Sequence, residues 1–208
     1  MTESEIQRAF RNVLARLDHA WETAGAPVGY LARPGLSGAE IDALVLPLGL
    51  RLPVEARLWW EWHDGTDRDA SVTSIEGNLL GPVLRLLRLD DAVNAYRSAC
   101  QLANDAAGES GMAPQQWREG SWFPVVSTLH DSLFAVDCSV PAGQVSAVRV
   151  VEAADEHRSV VRSSSLTEVV SFWVDAIETG GWAYDQQGAC WTIDESRLDP
   201  ELVRSRLV

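Results

Sequence analysis

Apolar residues change their spacing near residue 65, and that change constrains the fold more than any single motif. Before it they recur every three or four positions, as helices that bury one stripe require. Ile6, Phe10, Val13, Leu14, Leu17 and Trp21 form the first stripe, with Ser4 and Gln7 as its expected capping box and Gly25-Ala26-Pro27 as its stop. Ser37 and Glu40 make a second box ahead of Ile41, Leu44, Val45 and Leu48. Pro47 ends that helix early, and Gly49 suits a left-handed cap. Pro53 opens a third helix carrying Val54, Leu58, Trp59 and Trp62, which His63-Asp64-Gly65 ends.

Beyond this point the runs are short and strand-like. Val72–Ile75, Asn78–Leu80 and Val83–Leu87 read as strands or strand fragments, and Asp90-Asp91 begins a helix through Ala103. Residues 104–116, with Gly108, Gly111 and Pro114, are the best candidate for a long mobile loop. Trp122–Val126, Leu133–Val136 and Val145–Val151 follow with turn residues between them, which predicts neighbouring antiparallel strands. Ser165 and Glu168 mark a third capping box before a helix that stops at Gly180-Gly181. A Cys190–Ile193 strand and a tail helix from Asp199-Pro200 close the chain. Helices first, antiparallel-type strands in the middle and a late helix give an α+β class, a central sheet flanked by helices.

Composition narrows the chemistry. Thirty acids stand against 17 bases in 208 residues, a formal net charge of −13, so nucleic acid and anionic lipid are poor partners. Every base is arginine; without lysine there is no Schiff-base or pyridoxal-phosphate chemistry, no phosphate-loop lysine and no kinase-type site. Cys100, Cys138 and Cys190 have neither metal-ligand nor disulfide-framework spacing and read as reduced thiols. No apolar run approaches the roughly 20 residues of a membrane helix, and the acidic Met1–Glu5 start is not that of a signal peptide. The expectation is a cytoplasmic protein that needs no cofactor.

Few residues suggest catalysis. His63 beside Asp64 lacks a nucleophile elbow, and adjacent side chains diverge; a helix C-terminus suits the imidazole better. His19, His130 and His157 stand alone. Asp64, Asp67 and Asp69 lack the ligand order of a calcium loop, so no metal is assigned. On the third helix Trp59 and Trp62 share the core face, which turns Trp60 elsewhere, either against the N-terminal helix or outward as a binding anchor.

Taken in order, Pro34-Gly35-Leu36-Ser37, Glu40-Ile41, Leu48-Gly49-Leu50-Arg51-Leu52-Pro53 and Leu58-Trp59-Trp60-Glu61-Trp62-His63-Asp64-Gly65 resemble the opening of the SUKH superfamily, the SMI/KNR-type domain. Leu89–Ala92, Trp122–Val125, Phe134–Asp137 and Ser165–Glu168 fall where such domains place a middle helix, paired strands and a closing helix. The resemblance implies a SUKH-like single domain over residues 34–180, an N-terminal helical extension at 1–33, and a tail at 181–208 packed on the same domain. It also implies a binding protein without enzymatic activity. Bacterial members resemble immunity proteins that neutralise polymorphic toxins, many of them nucleases; fungal relatives are interaction scaffolds. The matched residues Gly49, Pro53, Trp62 and Gly65 are structural, so no catalytic residue carries over. The expected partner is a protein, a basic nuclease-type toxin for an acidic inhibitor. The expected contact surface is the acidic rim of Asp64, Asp67 and Asp69 with Glu61, Glu76 and Trp60.

Overall fold

The chain begins folding at Thr2. In the computed structural model, which describes residues 1–66, 79–109, 121–130, 132–151 and 159–199, the Thr2 hydroxyl accepts from the Glu5 amide at 3.4 Å and the Glu5 carboxylate accepts from the Thr2 amide at 2.7 Å. This box displaces the expected Ser4–Gln7 pair because an ionised acceptor at a helix N-terminus is favoured over a neutral amide. It starts α1 (Glu3–Ala24), which ends at Gly25. The short α2 (Val28–Leu31) and β1 (Ala32–Pro34) lead to Ser37, whose box with Glu40 opens α3 (Gly38–Val45) as the sequence predicts. Pro47 converts the next turn, Leu46–Leu48, to the tighter 3-10 form, and Gly49 follows with φ +75°.

Pro53 precedes α4 (Val54–Trp62), after which β2 (His63–Thr66) pairs antiparallel with β1. β3 (Leu84–Leu86) and α5 (Leu89–Glu109) follow. The helix thus takes in residues 104–109, which had been expected in a loop. Gly108 weakens a helix by only about 1 kcal/mol and is outvoted by the alanines around it. The remainder of that loop, the Val72–Ile75 run and the tail helix lie outside the described residues, while Leu79 bridges Arg85.

β4 (Trp122–Thr128), β5 (Leu133–Asp137), β6 (Val148–Val151) and β7 (Ser159–Ser163) complete a five-stranded antiparallel sheet in the order β3-β4-β5-β6-β7. The three expected strands are central neighbours, although β6 begins at Val148. The serine-rich β7 carries little strand signal of its own. α6 (Leu166–Glu178) is capped by Ser165, whose hydroxyl accepts from the Glu168 amide. The Glu168 carboxylate turns instead to the Ser163 hydroxyl and Ser164 amide, so the expected third box is half formed. β8 (Trp182–Asp185) and β9 (Cys190–Ile193) form a separate hairpin. The architecture is α+β.

Register places Phe123 beside Val136, Val126 beside Phe134, and Phe134 beside Val150, all on one face. Pro124 is accommodated in this central strand by a bulge between residues 124 and 126. The apolar face meets helices: the Trp60 ring stands edge-on to Phe123 at 5.6 Å, and Trp173 of α6 edge-on to Phe134 at 5.8 Å. Trp60 is therefore not outward but in the core, against the sheet. It is fully enclosed, its indole N–H donating to the Leu87 carbonyl at 3.2 Å. Trp62, expected in the core, is half-buried and stacked on Trp21 at 5.4 Å. The exchange follows from α4 being wedged between the sheet and α1, so that both sides of the helix bury tryptophan.

The segments at the chain ends join the same buried cluster, which contains Phe10, Leu17 and Trp21 of α1 along with Trp182 and Trp191 of the hairpin. Trp21 and Trp191 donate their indole hydrogens to the Leu80 and Leu79 carbonyls, each at 3.0 Å. Gly81 lies under the Trp182 ring, which a Cβ there would meet at 2.6 Å. Replacing Trp60 with alanine is expected to lower unfolding free energy by about 3–5 kcal/mol, as loss of an enclosed ring does. Trp62→Ala should cost clearly less, and denaturant titration of the two variants checks the order.

Candidate interaction surface

Asp64 does not belong to an acidic rim. It is 6% exposed, its Oδ1 accepts from the Leu89 amide at 2.8 Å, and its Oδ2 lies 3.5 Å from Arg33 Nε. The carboxylate thus tethers the start of α5. Gly65 completes the joint: its φ is +72°, and a Cβ there would meet the Arg88 backbone nitrogen at 2.6 Å. Trp60 is enclosed, as described above. Asp67, Asp69 and Glu76 lie outside the described residues. Of the six residues expected at the contact surface, Glu61 alone is described and reaches solvent; it is half-buried and paired with Arg57 at 3.4 Å and Arg11 at 3.5 Å.

His63 and Asp64 point to different partners. His63 begins β2 and places Nδ1 2.9 Å from the Arg33 carbonyl and Nε2 3.3 Å from the Asp18 carboxylate. A carbonyl only accepts, so Nδ1 carries a hydrogen. Asp18 also accepts from the Trp62 indole at 2.8 Å, and the Trp62 and His63 rings lie 4.4 Å apart. The imidazole joins α4, β1 and α1, and its aspartate partner is Asp18 rather than the adjacent Asp64.

One group escaped the sequence reading. Glu55, in the first turn of α4, is 2% exposed and accepts from the amides of Leu166 and Thr167 at 3.0 and 3.2 Å, and from the Thr167 hydroxyl. Burial pushes its carboxyl above the usual carboxylate range, against the pull of these donors. The signal was present: an acid flanked by Val54 and Ala56 at the buried start of an apolar helix.

Around Glu61 the surface opens into a cleft of about 340 Å³ between α1, α3, α4 and the 142–143 turn. Leu50, Arg51 and Leu52 line it. Its floor is apolar, with Ile41, Leu52 and Leu58 buried. Arg57 spans its middle, gripping Asp42 through two hydrogen bonds of 2.7 and 3.2 Å and the Gly38 carbonyl at 3.0 Å. The guanidinium holds the Asp42 carboxyl below its ordinary value. Leu46 on the rim is 48% exposed. An apolar floor with a charge-balanced wall suits a segment of another chain, because Asp42 and Glu61 are already paired with arginine. Among the described residues no group of three or more acids, histidines or cysteines is arranged to hold a metal, and no helix is long and apolar enough to cross a membrane. The three cysteines are free thiols, and burial pushes that of Cys138 up to about 12.

No family model matches the chain, and no curated protein matches it.

Asp64→Ala should cost about 1–3 kcal/mol of stability by orphaning the buried Leu89 amide. Glu61→Gln should cost less than about 1 kcal/mol, as exposed ion pairs do. Chemical denaturation of both variants tests the division between tether and surface. Glu55 adds a pH dependence: its raised folded value means that its contribution is fullest below the ordinary carboxylate range and falls as pH climbs through the raised value. The stability of the native protein relative to Glu55→Gln should therefore decline from mildly acidic to neutral pH, measured by denaturation of the pair.

Proposed function

We propose that this protein is a non-enzymatic binding protein that neutralises a polymorphic toxin by forming a stoichiometric complex in the cytoplasm. The observation that carries the reading is charge: a formal −13 on a scaffold whose buried carboxylates Asp64 and Glu55 serve helix starts. An acidic surface steers a basic nuclease toward it and competes with the nuclease's own anionic substrate. The ordered SUKH-like segments agree, since Ser37, Glu40, Gly49 and Gly65 occupy the cap and turn positions that such a domain needs. A second reading is a general interaction scaffold of the SMI/KNR type. The charge-balanced cleft beside Glu61 favours it, because that cleft can take a peptide without demanding a basic partner.

The discriminating experiment begins with the neighbouring gene. If that gene encodes a large secreted protein with a variable C-terminal domain, the domain is expressed with and without this chain in a sensitive host. Restored growth and a complex of one copy each by gel filtration are the expected results, with association slowed by added salt. Continued killing with no complex would overturn the toxin reading, and a neighbourhood without any toxin would favour the scaffold.

A further inference from the structure

The cleft beside Glu61 sets three arginines, Arg11, Arg51 and Arg57, against three carboxylates, Glu3, Asp42 and Glu61. The charges cancel, but the hydrogen bonding does not. Asp42 takes both Nη atoms of Arg57, and Glu61 takes Arg57 Nε at 3.4 Å and Arg11 at 3.5 Å. Glu3 lies in the first turn of α1, where the helix dipole favours an acid, and accepts from the Gln7 side-chain amide at 3.0 Å. Each carboxylate therefore already has a side-chain donor. The exposed Arg51 guanidinium makes no hydrogen bond or ion pair among the described residues; its charge acts on Asp42 only through space, helping to hold that carboxyl low. Arg11, with its side chain 62% exposed, has only the long contact to Glu61. The unmet capacity of this cleft is a surplus of guanidinium donors.

The apolar side of the cleft is also unmatched. Leu46 lines it, and Ala43, Leu44 and Pro47 are exposed beside Leu46 in the chain. Solvated leucines next to a floor of Ile41 and Leu52 keep apolar area in water that a covering surface would remove. A second cleft, of about 480 Å³ between α1, α6 and β8, brings Glu178 and Tyr184 together but differs in both respects. No arginine lines it, and its one carboxylate, Glu178, is held by Arg16 at 2.7 Å.

We propose that the cleft beside Glu61 binds an extended segment of another protein in which a leucine-like side chain is followed by a carboxylate-bearing one. The apolar side chain covers Leu46 and the Ile41–Leu52 floor, and the carboxylate takes the Arg51 guanidinium in the two-pronged geometry that this pair favours. A cationic segment would meet Arg51 as a like charge and find every acid occupied. A neutral apolar one would cover the leucines and gain nothing from Arg51. The formal −13 works against a polyanion at long range, but one carboxylate touching a guanidinium feels mainly that guanidinium, since salt screens charges beyond about 10 Å. The assignment rests on the scaffold reading for a protein segment as the occupant and is independent of the toxin reading.

The test uses the full chain, isotopically labelled, in NMR titrations with acetyl-leucyl-glutamyl-leucine amide and with the same peptide carrying glutamine or lysine at its centre. The glutamyl peptide is expected to shift the amides of Leu46, Gly49, Arg51 and Leu52. It should bind about two- to five-fold more tightly than the glutaminyl peptide, the scale of one exposed ion pair, with the lysyl peptide weakest and the differences shrinking in added salt. Arg51→Gln, at an exposed side chain without a partner in the fold, should leave the denaturation midpoint unchanged and erase the preference for the glutamyl peptide. Equal binding of the glutamyl and glutaminyl peptides, a preference for the lysyl one, a preference that survives Arg51→Gln, shifts confined to the second cleft, or no shift at all would overturn the proposal. Glutamyl-selective binding together with a failed toxin co-expression would leave the cleft standing and remove the toxin reading. Restored growth without peptide selectivity would do the reverse.

Discussion

Two buried carboxylates on one short stretch of chain anchor the helices of this fold. Glu55, at the start of α4, receives the first amides of α6, and Asp64, just past its end, receives the first amide of α5. Helix N-termini leave amides without intrahelical partners and carry partial positive charge, so a buried anion is a strong acceptor there. Local caps come from the preceding residues; these come from 111 and 25 positions away. The arrangement sets where α5 and α6 begin relative to α4, and thereby which faces they turn to the sheet. It also makes the segment sensitive, because a buried acceptor withdrawn from its donors leaves both sides unsatisfied.

Tryptophan does the rest of the joining. Trp59 and Trp60, on neighbouring positions of α4, bury themselves on different sides of the helix: Trp59 is edge-on to Trp173, and Trp60 is edge-on to Phe123. Trp21 and Trp191 reach from α1 and β9 to consecutive carbonyls at residues 79 and 80. A large ring with one N–H can fill a gap and satisfy a backbone oxygen at once, which suits a layer where strand, helix and irregular chain meet. The two chain ends are thus built into the cluster that holds α4, α6 and the sheet.

The surface follows from what the core consumed. Asp64 and Trp60, with the charge and ring that a contact site would use, are taken up inside. Glu61 stays at the edge of a cleft already neutralised by Arg57 and Arg11. Where α1 and α6 converge, Arg16 likewise bridges Asp175 at 3.0 Å and Glu178 at 2.7 Å.

Period and caps in the sequence determined the elements: the stripes from Ile6 to Trp21 and from Val169 to Ile177, the Ser37–Glu40 box, the turn at Gly49, and the three central strands with their α+β class. These depend on residues within a few positions of one another, and local geometry is enough to specify them. The tertiary structure alone decided which tryptophan of α4 is enclosed, because a helix packed on both sides has no outward face for the 3.6-residue period to reveal. It alone turned Asp64 inward and made Glu55 a cap, since both carboxylates serve amides distant along the chain. It alone showed β7, whose serines pair because Val148–Val151 offers an edge, and it alone brought Glu178 and Tyr184 to one cleft. A hydrogen bond or a cavity between distant segments leaves no spacing in the sequence to read.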